Sequence, residues 1–288
     1  MRKWVLGARL RTLPAAVVPV LLGGTLVVRD DDAVLWRWPL ALVVALALQI
    51  AVNYANDYSD GVRGTDTDRI GPTRLVASGL ASARQVKRAA FMAFGVAGVA
   101  GAVLAFVTTP WLFAVGVASM LAGWFYTGGP RPYGYSGFGE VFVFVFFGLV
   151  ATVGTTFVMV ERLPAASWLL GTSTGALACA LLVTNNLRDA PTDALVGKNT
   201  LAVRLGVERT RVLYAMLVAI SFVSLGGAAL FDYGALLGLV AVVPAVTVSR
   251  RVLGGASGRE LITVLGGTGR VQLVLGVLAS VGMVITGG

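Results

Sequence analysis

The sequence predicts an all-α, polytopic membrane protein with nine transmembrane helices, and three observations predict it. Of 288 residues, 57% are hydrophobic and only 13% charged, with a mean hydropathy of +0.82; soluble domains hold roughly 45–50% apolar residues. Apolar runs long enough to cross a bilayer recur from end to end without a long polar linker, so residues 1–288 read as one integral membrane domain. The basic residues, finally, gather where alternate crossings bring them to one side.

A hydrocarbon core of about 30 Å takes about 20 apolar residues per helix. The spans that meet this lie near 13–29, 38–56, 89–108, 110–127, 139–160, 166–186, 211–231, 234–249 and 270–286. The first follows Arg2, Lys3, Arg9 and Arg11, carries Pro14 and Pro19, and lacks the small-x-small site of a cleaved signal peptide. The second runs straight into a polar, acidic segment. The third contains the glycines of "FGVAGVAG" at 94–101, read as positions of close helix packing. The fifth follows the tyrosine-rich "YTGGPRPYGYSGFGE", and the sixth carries Cys179 and ends in two asparagines. The seventh, the short eighth and the ninth complete the set. Of 23 Lys and Arg residues, only Arg29, Arg37 and Arg162 fall opposite the other 20. This partition places the N-terminus in the cytoplasm and the C-terminus outside a cell membrane. Two long cytoplasmic loops, 57–88 and 187–210, then interrupt the pattern.

Composition also excludes chemistry. With no histidine and one cysteine, the chain forms no internal disulfide, no His/Cys zinc or haem site and no histidine-based triad. The net charge of +9 comes without any zinc-finger, RRM or basic-helix pattern, so nucleic acid is not an expected partner. "GKN" at 197–199 lacks the glycine and hydroxyl residue of a P-loop.

The candidate chemistry lies at the ends of the second and sixth spans. On a helix, Asn53, Asn56, Asp57 and Asp60 share one face, and Gly61 offers a stop. Asn185, Asp189 and Asp193 form a second stripe at the same membrane side, with Pro191 predicting a kink or helix end near Ala190. Asp57 and Asp189 lie 132 positions apart, as a degenerate internal repeat would place them, face to face. Two carboxylates about 5 Å apart at an effective dielectric of about 20 repel by about 3 kcal/mol. Hard divalent cations such as Mg²⁺, bridging carboxylates to substrate phosphates, are the natural compensation. Arg63, Arg74, Arg131, Arg188 and Lys198 are candidates for anionic oxygens left over. Asp66 and Asp68 sit nearby in a Gly/Thr loop.

These motifs resemble the UbiA superfamily of intramembrane aromatic prenyltransferases, with N-D-x-x-D read as Asn56, Asp57 and Asp60, and D-x-x-x-D as Asp189 and Asp193. "NDYSDGVRGTDT", "YTGGPRPYGYSGFGE" and "NNLRDAPTDALVGKNTLAVRLG" are most similar to its menaquinone branch, the 1,4-dihydroxy-2-naphthoate polyprenyltransferases. The resemblance implies helices around a central cavity. It also implies two Mg²⁺ ions on Asp57, Asp60, Asp189 and Asp193, binding the diphosphate of a polyprenyl diphosphate. Asn53, Asn56, Arg63, Arg74, Asn185, Arg188 and Lys198 would contact substrate on that side. Tyr126, Tyr133 and Tyr135 would lie near the acceptor, 1,4-dihydroxy-2-naphthoate, and the prenyl tail would run into membrane lipid. Attack at the carboxylate-bearing carbon with loss of CO₂ would give demethylmenaquinone. Two departures stand out: the family's third aspartate falls on Gly64, and the lysine expected after Tyr126 is replaced by Pro130, with Arg131 next. Alternatives are another aromatic acceptor such as 4-hydroxybenzoate, or, from another class, a membrane transporter, whose acids are expected near the bilayer midplane.

Overall fold

A computed structural model describes residues 2–65 and 73–286. Asp66 and Asp68 lie outside the described residues. Among the described residues every regular element is helical. A short α1 (Arg2–Ala8) and a 3₁₀ turn (Leu10–Thr12) meet α2 (Pro14–Thr25) at a bend of 56°. Pro14 opens α2, where its missing N–H is needed by no partner. There follow α3 (Arg37–Arg63), α4 (Ala83–Val107) and α5 (Trp111–Phe125), then a 3₁₀ turn at Tyr133–Ser136. α6 (Gly139–Val143) and α7 (Ala151–Val160) join through a π-helical stretch, Phe144–Val150, into one long helix. α8 (Ala165–Leu195) is the longest; α9 (Leu201–Leu205) is a single turn leading to α10 (Val207–Ala228). A 3₁₀ segment (Tyr233–Ala241) runs into α11 (Val242–Leu253), and α12 (Glu260–Thr286) closes the chain.

Among the described residues, seven helical stretches are long and apolar enough to span a membrane, and the bent pair at the start makes eight. α5 is apolar throughout but only 15 residues long. Each of the nine expected spans thus falls on a helix, while the strict count is seven to eight. The two motif spans run further than expected. α3 continues to Arg63 and ends at Gly64, whose φ of 69° is the left-handed conformation that glycine adopts without strain. Gly61 is therefore not the stop; it makes room for a neighbour, since a Cβ there would lie 2.5 Å from the Cβ of Val76. α8 likewise passes through Pro191 to Leu195 instead of ending near Ala190. Proline removes one donor but does not forbid the helical φ. The loops expected at 57–88 and 187–210 accordingly begin later, and the motif carboxylates project from helix ends.

α8 is buried along most of its length and packs on α2, α7, α10 and α12. Gly148 in the π-helical stretch lets it approach closely, because a Cβ there would lie 2.5 Å from the Cα of Gly175. α3 packs chiefly on α4. Between these halves lies a cavity of about 960 Å³. Gly98 and Gly101 line it, and an added Cβ would meet only the end of Met120 at 3.1 Å or of Val44 at 3.9 Å. Their small size leaves space in the cavity, where the sequence reading gave them to packing. Phe106, Trp111, Val223 and Leu230 are exposed on the outer surface, as a lipid-facing wall requires. At the end of the bundle away from the motif residues, Arg37 binds the Val158 and Val107 carbonyls and Glu161, and Arg162 pairs with Asp30 and Asp32.

Candidate active site

The first stripe is built on the last turns of α3. Asp57 is fully buried, and both its oxygens face backbone: Oδ2 accepts the Leu75 N–H at 2.7 Å and Oδ1 the Val76 N–H at 3.0 Å. The space left by Gly61 admits Val76 to this position. Asp57 therefore anchors the segment beginning at Thr73, and it does not line the cavity. The anchored segment delivers Arg74, whose Nη2 lies 3.2 Å from Asp60 Oδ2. The other oxygen of Asp60 accepts the Tyr135 hydroxyl at 2.5 Å and meets Lys198 Nζ at 3.3 Å. Asp60 is buried yet lines the cavity.

The second stripe rises from the end of α8. Asp189 receives both arms of its chain neighbour Arg188, Nε at 2.7 Å and Nη2 at 2.8 Å, in the planar fork that only arginine supplies. Asp193 Oδ1 lies 3.9 Å from Lys198 Nζ, and the Lys198 N–H donates to the Asp193 carbonyl at 2.9 Å. The Lys198 ammonium thus touches one carboxylate of each stripe, while also lying 4.6 Å from the Tyr135 ring centre. Buried charges need such pairing, and breaking one partner away leaves the other uncompensated.

Of the other expected residues, Asn53, Asn56, Tyr126, Tyr133 and Asn185 all line the cavity. Asn53 donates to the Ala8 carbonyl at 2.9 Å and to Thr12 Oγ1 at 3.1 Å, tying α3 to the bend after α1. Asn56 accepts the Thr127 hydroxyl at 2.8 Å. Arg63, Arg131 and Arg188 do not line the cavity. Arg63 donates to the carbonyls of Thr127 and Gly129 and lies over the Tyr135 ring at 5.5 Å, so it holds the loop in place; Arg131 is exposed on that loop.

Tyr126, Tyr133, Phe142 and Phe146 form an aromatic wall: Tyr126 meets Tyr133 edge-on at 5.6 Å, Tyr133 stacks on Phe142 at 4.0 Å, and Phe142 on Phe146 at 6.1 Å. Burial pushes the Tyr133 phenol above its ordinary range. Burial first, then the adjacent charge of Asp60, does the same to Tyr135, so its hydroxyl stays a donor. Sequence reasoning missed Arg9, Gln49, Thr127 and Asn186, which also line the cavity, and Glu140, which binds Asn186. Arg9 sits at the bend before α2 with a φ of 53°. Only the doubled asparagine at 185–186 carried a signal in the sequence.

Among the described residues no three His, Cys, Asp or Glu side chains converge as a ready metal site. The donors at the polar head of the cavity are nonetheless all oxygen: Asp60, Asp189 and Asp193, with Asn56 and Asn185 beside them. One ammonium reaching both stripes shows that a single cation spans them. The residues present therefore fit Mg²⁺, which takes carboxylate and amide oxygens and leaves positions for phosphate.

A model of the UbiA prenyltransferase family matches residues 16–256. A 1,4-dihydroxy-2-naphthoate octaprenyltransferase of Mycobacterium tuberculosis is 51% identical over 272 residues, covering 94% of this chain and 93% of its own. In fold, the apo structure of a UbiA homologue from Aeropyrum pernix superposes with a TM-score of 0.72 at 14% identity, covering 93% of this chain and 95% of that one. A UbiA homologue from Archaeoglobus fulgidus bound to DMAPP and Mg²⁺ gives a TM-score of 0.61 at 14% identity, over 98% of this chain and 99% of that one. With the family model covering most of its length and a bundle whose two acidic stripes meet over one cavity, this chain belongs to the UbiA prenyltransferase family.

Proposed function

We propose that the protein is a Mg²⁺-dependent prenyltransferase that moves a polyprenyl group from polyprenyl diphosphate to 1,4-dihydroxy-2-naphthoate, giving the reduced, hydroquinone form of demethylmenaquinone for menaquinone biosynthesis. The observation that carries this reading is the meeting of Asp60 and Asp193 on Lys198 at the polar head of a cavity otherwise walled by apolar helices. Such a cavity accepts a molecule with an anionic head and a long apolar tail, and the tail continues into lipid. The name of the Mycobacterium tuberculosis relative supports the acceptor, and the DMAPP- and Mg²⁺-bound homologue supports donor class and metal.

Asp60, Asp189 and Asp193, with Asn56 and Asn185, would hold two Mg²⁺ ions. Bound there, the metal supplies positive charge that stabilises the departing pyrophosphate. Lys198 and Arg74, already at Asp60, bind the remaining phosphate oxygens. Arg188 keeps both oxygens of Asp189 aimed, and Asp57 keeps Arg74 in reach. In the reaction the allylic C–O bond breaks and a C–C bond forms at the ring carbon bearing the carboxylate, which leaves as CO₂. The aromatic wall excludes water and offers ring faces to the allylic cation. The strong sidedness of basic residues, with only Arg29, Arg37 and Arg162 opposite the other 20, supports a cell-membrane protein with its site toward the cytoplasm, N-terminus inside and C-terminus outside.

An acceptor panel tests the reading. Purified protein in lipid, given Mg²⁺ and an all-trans polyprenyl diphosphate, is expected to prenylate 1,4-dihydroxy-2-naphthoate with release of pyrophosphate, read by mass spectrometry. Prenylation of 4-hydroxybenzoate alone would overturn the acceptor assignment.

A further inference from the structure

Glu140, in the first turn of α6, is more than nine-tenths buried and takes no place in the diphosphate head. Its Oε1 accepts the Asn186 Nδ2–H at 2.9 Å. Its Oε2, also buried, has no hydrogen-bond partner among the described residues. Burying a carboxylate with an oxygen unmatched costs free energy, so the arrangement calls for a reason.

That reason is the orientation of an amide. Asn186 lines the cavity. A free asparagine presents either a donor or an acceptor to a ligand. A carboxylate only accepts, so Glu140 draws the NH₂ toward itself and leaves Oδ1 as the atom available to the cavity. Asn185, one residue earlier, turns its own NH₂ back to the Leu181 carbonyl at 3.3 Å. The Tyr126–Tyr133–Phe142 wall lines the same cavity, and its rings offer flat apolar faces.

We propose that Asn186 is an acceptor-binding residue, its Oδ1 accepting a hydrogen bond from a ring hydroxyl of the aromatic substrate, and that Glu140 is the positioning residue that fixes this polarity. The proposal rests on the prenyl acceptor being a hydroxylated aromatic ring. Drawing on the hydroxyl proton raises electron density in the ring that attacks.

Steady-state kinetics in lipid, with both substrates varied, test it. Asn186→Leu is expected to raise KM for the acceptor about ten-fold, as loss of one well-formed hydrogen bond does, with KM for the polyprenyl diphosphate within two-fold of wild type. Glu140→Leu should reproduce that pattern by freeing the amide, and Glu140→Gln, whose carbonyl still accepts from Asn186, should recover most of the loss. The double variant Asn186→Leu/Glu140→Leu should be no worse than Asn186→Leu alone. An unchanged acceptor KM in Asn186→Leu, an equal rise in donor KM, or additive losses in the double variant would each overturn the assignment. Should the leucine variants fail to fold, Asn186→Ala and Glu140→Gln in direct acceptor-binding titrations, without donor or metal, decide the same question. If wild type prenylates hydroxybenzoate rather than naphthoate, the proposed function fails, yet the same variants assayed with that phenol still decide the role of Asn186.

Discussion

The two acidic stripes look equivalent in sequence and are not equivalent in the fold. At the end of α3, the leading carboxylate, Asp57, has both oxygens on backbone N–H groups, and the trailing one, Asp60, is left at the cavity with three side-chain partners. At the end of α8, the leading carboxylate, Asp189, is forked by its own neighbour and still lines the cavity, while Asp193 shares Lys198 with Asp60. The difference teaches that spacing assigns carboxylates to a helix face, but tertiary contacts decide which of them line the cavity.

The sharpest way to break this comparison is substitution of Asp60 against Asp57. Asp60→Ala is expected to lower kcat by on the order of 10²–10³, as loss of one transition-state electrostatic partner does. The protein should still purify as a folded membrane protein, checked by size exclusion and circular dichroism. Asp57→Ala strands one buried and one part-buried N–H group and should destabilise the fold by on the order of 2 kcal/mol. Thermal unfolding in the same detergent measures that loss, and Mn²⁺ binding followed by EPR should weaken less than in Asp60→Ala. Equal loss of metal affinity in both variants would return Asp57 to the ligand set.

Lys198 is the element shared by the stripes, and its removal sharpens the comparison. Lys198→Met exposes Asp60 and Asp193 to each other without a bridging cation, so Mg²⁺-free protein should unfold at a temperature lower by roughly 3 °C per kcal/mol lost. Added Mg²⁺ should raise the melting temperature of this variant more than that of wild type. The same increment in both would show that Lys198 and the metal do not share a place.

The smallest effect is expected at Tyr135. Tyr135→Phe removes one hydrogen bond from Asp60, a loss of about 1 kcal/mol, and activity should fall less than ten-fold. Because the folded Tyr135 holds its proton above the ordinary value of 10.0, its contribution to stability is fully present below that value. It is lost as pH rises from there through the raised folded value. The gap in melting temperature between wild type and Tyr135→Phe should therefore stay constant below pH 10.0 and narrow above it.

Helical spans, their number within one or two, the sidedness of charge and the two stripes were legible because hydropathy and i, i+4 spacing are local properties of the chain. The ends of α3 and α8 were not. Gly61 has the composition of a stop and the job of admitting Val76, and Pro191 has the look of a break inside a helix that continues. Arg63 and Arg131 had the charge of phosphate ligands, yet one clasps loop carbonyls and the other is exposed. Asn186 and Glu140 gave almost no signal, since their meaning lies in a contact across 46 positions.

By itself, the sequence determined that this chain is a helical membrane protein that gathers carboxylates, without histidine or paired cysteines, at the ends of two helices. Only the tertiary structure decided that Asp57 binds the Leu75 and Val76 backbone while Asp60, Asp189 and Asp193 line the cavity, and that one lysine joins the two stripes. The physical reason is that helix periodicity is written in near neighbours, whereas a buried oxygen takes its role from whichever donor the folded chain brings within about 3 Å.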